Sequence, residues 1–278
     1  MKRATAPGKV SANLYAQLIQ KLFLNRFRPG RETVQFERTD IENTARELGI
    51  RVPKNLGDLI YSFRYRVELP EAIRRLAPAG RHWIIRPAGR SQYSFVAVAT
   101  AVLAPNPILA ETKIPDATPG IIDMYALGDE QALLAKLRYN RLVDVFTALT
   151  CYPLQSHLRT SVAGVGQLET DEVYVGIDKR GVHYVLPVQA KGGRDHISTV
   201  QIEQDVAMCR AKFPALVCLP LAAQFMGDGL IAMFSFESTM AGQTGQPRLI
   251  AEKHYRLAPP EAVAPADLAA YQKRAVEA

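Results

Sequence analysis

Asp171, Gln189 and Lys191 are the residues of this sequence whose types and spacing suit a reaction. They lie in GQLETDEVYVGIDKRGVHYVLPVQAK, residues 166–191. Two β-rich runs there, 172–177 (EVYVGI) and 183–190 (HYVLPVQA), are joined by Asp178-Lys179-Arg180-Gly181, a turn composition that predicts an antiparallel hairpin. In such a hairpin the start of the first strand lies beside the end of the second, so Asp171 comes close to Gln189 and Lys191. Gln189 and Lys191 are two apart and share a face. The pattern predicts an oxygen-rich pocket with one ammonium beside it. Such a pocket suits Mg2+ or Mn2+, hard cations that take carboxylate and carbonyl oxygens and keep several waters. A metal there neutralises charge developing on a phosphate and lowers the pKa of a bound water, while Lys191 positions that water or stabilises the pentacovalent phosphorus. Phosphodiester hydrolysis needs these parts.

Further ligands stand close by. Glu169 and Glu172 flank Asp171, and by alternation Glu169 shares its face, which makes Glu169 the better second metal ligand. Gln155, His157 and Arg159 alternate in YPLQSHLRT just before the hairpin. Extended chain would put these three on one face, either against a scissile phosphate or as a polar edge of the domain.

At Asp171 and Gln189-Ala190-Lys191 the chain resembles the PD-(D/E)xK nuclease superfamily, whose signature is an acid on one strand and (D/E)xK or QxK on the next. With Gln189 in the third position it is similar to the Mrr-like branch. The resemblance implies a restriction-endonuclease-like mixed sheet flanked by helices, a metal held by Asp171, Gln189 and Glu169, and cleavage of DNA. It also implies an acid from the helix before the hairpin. Asp144, in RLVDVF, is the only acid inside that predicted helix beyond its first residues, and it reads equally well as a solvated side chain. Gln204, in the QIEQD run after Lys191, stands in the same position.

The elements that must place these residues follow from periodicity and punctuation. A Leu-rich helix is predicted over 131–149, ending before Pro153, and another over 199–212. Runs 215–219 and 230–236 are strand candidates, and 259–278 contains an amphipathic helix. Helix, hairpin, helix, strand, strand describes a mixed α+β domain.

The N-terminal part parses differently. A helix over 13–27 ends at Pro29-Gly30. Thr39-Asp40-Ile41-Glu42 reads as a capping box opening a helix that stops at Gly49. Asn55 caps a third helix, from Leu56 to about Tyr65, with Leu56, Leu59, Ile60 and Phe63 on its apolar face. Runs 82–85 and 92–98 then form a hairpin with a basic tip. This order predicts a winged-helix-like domain whose third helix enters the major groove. Lys54, Asn55, Ser62, Arg64 and Arg66 lie off the apolar face and are types that bond bases or phosphates. Arg86 and Arg90 on the wing would touch backbone. The other reading of this face is a solvated surface or a protein contact. Four prolines in 103–120 suggest a linker, giving domains 1–104 and 121–278 about a 105–120 connection. A reading module before such a core also resembles restriction-type endonucleases with fused DNA-binding domains.

Charge supports two functions in one chain. The net +7 divides into +10 over residues 1–100 (18 Lys/Arg, 8 Asp/Glu) and −3 over the remainder (16 against 19). A basic module grips a polyanion while a mildly acidic one concentrates carboxylates around a metal. No run approaches the ~18 to 20 apolar residues of a membrane helix, and no apolar stretch follows the basic N-terminus. Cys151, Cys209 and Cys218 show no zinc spacing. The expectation is a cytoplasmic protein without membrane contact, acting on double-stranded DNA as a homodimer. A type II-like restriction or defence nuclease, with a cognate methyltransferase encoded nearby, fits these features. So do a DNA-binding regulator with a catalytically silent domain and a structure-specific repair or recombination nuclease.

Overall fold

The computed structural model describes residues 9–52, 56–65, 67–89, 91–100, 102–127, 130–192, 195–226, 229–237 and 247–277. The chain divides into two compact units, residues 1–101 with 161–167, and residues 102–160 with 168–278. Both mix helices and strands, and no helix among the described residues is long and apolar enough to cross a membrane.

In the first unit, α1 (Lys9–Arg26) buries Leu18, Ile19, Leu22 and Phe23, two adjacent pairs a helical turn apart. β1 (Thr33–Glu37) turns Val34 and Phe36 inward. α2 (Arg38–Glu47) follows without a linker, and the Glu37 amide donates to the Asp40 carboxylate at 2.7 Å. The helix therefore starts one residue before Thr39, which sits inside the first turn and does not cap it. Gly49, at φ +65°, reverses the chain beyond its end, a conformation that favours glycine. α3 (Leu56–Tyr65) has the predicted bounds and buries the predicted face. α4 (Glu71–Arg74) precedes β2 (His82–Gly89) and β3 (Gln92–Val98), which pair antiparallel. β1 joins as a third strand, in the order β1-β3-β2. Among the described residues the order in this unit is helix, strand, three helices, hairpin.

The second unit begins with β4 (Val102–Leu103), β5 (Glu111–Pro115) and α5 (Gly120–Tyr125). Residues 105–120 are thus not a plain linker, because β5 is an edge strand that pairs parallel with β13 (Arg248–Ala258). The Leu-rich helix is two helices, α6 (Glu130–Tyr139) and α7 (Leu142–Thr147). They separate at Asn140-Arg141, where Arg141 has φ +48° and the Asn140 amide group bonds to Thr118, Asp116 and the Ala117 amide.

Then come β6 (Thr150–Val162), β7 (Gly166–Ile177), β8 (His183–Lys191), β9 (Ile197–Ser198) and α8 (Thr199–Lys212). β10 (Val217–Cys218), β11 (Leu221–Phe225), β12 (Leu230–Glu237), β13 and α9 (Pro265–Glu277) complete the unit. The large sheet runs β5-β13-β12-β11-β8-β7-β6. β8 and β11 are parallel, so the chain must cross over between them, and α8 is that crossover. Alternate residues of β11 serve two cores. Leu221 and Ala223 pack with Leu133, Leu137 and Leu142 of α6 and α7, while Ala222 packs with Ile197 and Ile202 on the α8 side.

Candidate active site

The β7–β8 turn is pinned by Asp178, whose carboxylate accepts the Arg180 and Val182 amides at 2.8 and 2.9 Å. These bonds and Arg180 hold its pKa down at about 2. From there the ladder runs Ile177↔His183 to Glu172↔Val188. One step further the Ala190 amide donates to Asp171 Oδ2 at 2.8 Å. A side-chain oxygen thus takes a place that a strand carbonyl would fill, and it fixes Asp171 beside the end of β8.

Lys191 closes β8 with its side chain only 11% exposed, and its Nζ lies 2.9 Å from Glu130 Oε1 and 3.9 Å from Asp171 Oδ2. Burial by itself would lower the lysine pKa. The Asp171 and Glu130 carboxylates outweigh it and hold the ammonium above its usual value. Asp171 moves in the same direction, because its desolvation exceeds what Lys191 and the Ala190 amide return. Glu130 is the closer partner of Lys191, while the Asp171 charge does most to keep the lysine protonated. Glu130 is the first residue of α6, where a helix end favours a carboxylate.

The carboxylate that the preceding helices place beside Lys191 is that of Glu130, and Asp144 lies elsewhere. Asp144 sits in the first turn of α7, ion-paired to Arg141 and accepting the Cys151 amide at 2.9 Å. That is a local brace at the α7–β6 junction. Glu130 immediately precedes the predicted 131–149 helix, and the observed helix begins one residue earlier and includes it.

Gln189 is 1% exposed and committed elsewhere. Its Nε2 donates to Asp205 Oδ2 at 3.0 Å and Oδ1 at 3.2 Å, and to the Glu169 carbonyl at 3.3 Å, while its Oε1 accepts from Gln201 at 3.2 Å. As placed, the amide braces β8 against α8 and turns no free oxygen to Asp171. Asp205 was missing from the sequence reading, although it adjoins Gln204 in the QIEQD run. It is fully buried, accepts the Thr170 hydroxyl at 2.6 Å, and is pushed by burial to a pKa of about 7. Gln201 and Asp205 lie one helical turn apart, so both face Gln189. Gln204 is also buried on α8.

Glu169 forms the rim. Its carboxylate is 3.0 Å from Arg159 Nη2 and 3.7 Å from His157 Nδ1, and His157 Nε2 accepts from the Gln131 amide at 2.9 Å. His157 and Arg159 are thereby connected to the residue next to Glu130, while Gln155 is exposed on the same strand. With Arg159 and His157 beside it at the surface, Glu169 is held apart from the Asp171 centre. Glu172 faces the α6 side of the sheet, completely buried against Arg138 at 2.7 Å with the Tyr174 hydroxyl donating to it at 3.0 Å. It is a core ion pair, as strand alternation from Asp171 requires.

The residues expected to read DNA are less exposed than the pattern suggested. Lys54, Asn55, Arg66 and Arg90 lie outside the described residues. Ser62 is 2% exposed and packs inward with the apolar face of α3. Arg64 is partly buried with its guanidinium 4.9 Å from the Tyr65 ring, and Arg86 is partly buried on β2.

Among the described residues no three His, Cys, Asp or Glu side chains are grouped to hold a metal. The centre has two carboxylates, those of Glu130 and Asp171, that already stabilise one shared cation, the Lys191 ammonium. Two hard oxygen donors suit an ion that keeps most of its waters. No family model, no curated protein and no solved structure matches the chain.

Proposed function

We propose that this protein is a metal-dependent DNA endonuclease whose centre is Glu130, Asp171 and Lys191. The observation that carries the reading is the convergence of two carboxylates and one ammonium at the open end of the β7–β8 hairpin, with helices α6–α7 before it and the α8 crossover after it. Mg2+ or Mn2+ held by Asp171 and Glu130 would supply a bound water of lowered pKa and neutralise phosphate charge.

The protein's own side chains have separate tasks. Lys191 keeps its proton in the presence of the two acids and offers a point charge to a phosphate oxygen. The Ala190 amide orients Asp171. Gln189, Asp205 and Gln201 fix the end of β8, and His157 and Arg159 present further donors at the rim. The basic N-terminal part supplies a field that attracts double-stranded DNA. Restriction or defence, acting as a homodimer with a cognate methyltransferase, is the role that best unites a reading module with a cutting one.

One observation favours a second reading, a DNA-binding regulator with a silent catalytic unit. Lys191 itself bridges the two acids, and the amide oxygen of Gln189 is engaged by Gln201. Incubation of supercoiled plasmid with purified protein separates the two. The nuclease reading expects linear or discrete products with Mg2+, none with EDTA, and loss of cutting in Lys191→Ala. DNA binding without cutting in every metal would give the regulator reading the lead. Cutting confined to branched or flapped substrates would instead indicate a repair nuclease.

A further inference from the structure

α5 buries none of its residues. Ile121, Met124 and Tyr125 are spaced one, four and five along it and lie on one face, 69%, 74% and 73% exposed, and Leu127 just beyond is 80% exposed. Its one charged residue, Asp123, is tied to the protein, 2.7 Å from Lys136 of α6. Single exposed apolar side chains are ordinary, but four large ones within seven residues form a patch.

We infer that this face of α5 is where a second copy of the chain docks. Side chains of this size expose on the order of 150 Å2 each, so the patch presents roughly 600 Å2 and a symmetric pair would bury about 1,200 Å2, the lower bound for specific interfaces. The composition suits self-association. The positive excess lies in residues 1–100 and the remainder, which holds α5, is only −3, so two copies meeting through this face bring little like charge together, and interface centres are depleted in charge. A two-fold axis needs one self-complementary surface, which a small aliphatic and aromatic cluster provides. Neither of the two longer stretches outside the described residues would cover it from within the chain. Residues 1–8 (MKRATAPG) and 238–246 (STMAGQTGQ) contain only Met1 and Met240 as large apolar residues. A polyanion has nothing to bind on this face.

Pairing here rests on the nuclease reading only for its consequence, that two centres act on two strands. Its own test is independent of cutting. Sedimentation equilibrium of the full chain is expected to give a dimer, and the double substitution Ile121→Lys/Met124→Lys a monomer. The altered residues are exposed, so thermal melting of that variant should match wild type. Met124→Cys should cross-link to its own copy with a short bis-maleimide, while the wild-type chain does not. If cleavage is present, the lysine variant nicks plasmid but linearises it at least about tenfold more slowly, as a Kd raised by 1.4 kcal/mol or more requires. A wild-type monomer at all concentrations overturns the inference. So does a dimer that survives both lysines, or wild-type chain that instead binds neutral lipid vesicles through Met124. Lys191→Ala should leave the dimer intact, so a failed nuclease and a failed interface give different results.

Discussion

Asp205 is held in the floor of the site by two neutral donors, the Thr170 hydroxyl and the Gln189 amide. Two hydrogen bonds offset only part of the cost of burying a carboxylate, which is why its pKa rises from 3.8 to about 7. The folded state then holds this proton more tightly than the unfolded chain. The stability it confers is complete below about pH 4 and is lost as pH rises through about 7, at a slope approaching ~1.4 kcal/mol per pH unit. Asp205→Asn keeps the shape and removes the titration. Urea unfolding at a series of pH values should show wild type weakening between about pH 4 and pH 7 relative to the variant, and the variant more stable at the alkaline end. Identical pH profiles would mean that Asp205 is better solvated than its burial implies. At this scale Asp171 and Lys191 were legible because hairpin pairing and strand alternation are fixed by chain geometry. Glu130 and Asp205 were not, since which helix face meets a sheet depends on packing that a single sequence does not encode locally.

The β7–β8 hairpin depends on close packing behind it, at Gly176. A β-carbon there would lie 3.1 Å from Leu186 Cδ1 and 3.2 Å from Cys151 Sγ, so β6, β7 and β8 come together over a residue with no side chain. Gly176→Ala should cost about 1–3 kcal/mol through overpacking, read as a lower urea midpoint with an unchanged slope. An unchanged midpoint would mean that Leu186 and Cys151 adjust freely. Elements with both a strong stop signal and an apolar face were readable: α3 and α8 have the expected bounds. β6 was not delimited, because most of this edge strand is exposed on both faces and it carries Pro153, leaving only the polar alternation of Gln155, His157 and Arg159 and no apolar one. β13 escaped for a related reason, its first half being exposed even at Leu249 and Ile250. The Leu-rich 131–149 run looked continuous because its hydrophobic period persists across Asn140-Arg141, where only the polar bonds of Asn140 reveal the break.

Across the whole chain, charge and architecture divide in parallel. The N-terminal hundred residues carry the entire positive excess and, among the described residues, fold as four helices with a three-stranded sheet, whereas the remainder is mildly acidic and holds the carboxylate and lysine centre. Binding and cutting should therefore be separable by substitution. Asp171→Asn removes one charge from a side chain that is 14% exposed and keeps its volume. The decisive measurement records plasmid cleavage with Mg2+ and duplex binding by fluorescence anisotropy on this one variant. The account predicts that cleavage falls at least about hundredfold, while duplex affinity stays within about twofold of wild type. Cleavage that persists unchanged, or that falls only in step with DNA binding, would contradict the assignment of Asp171 to the reacting centre.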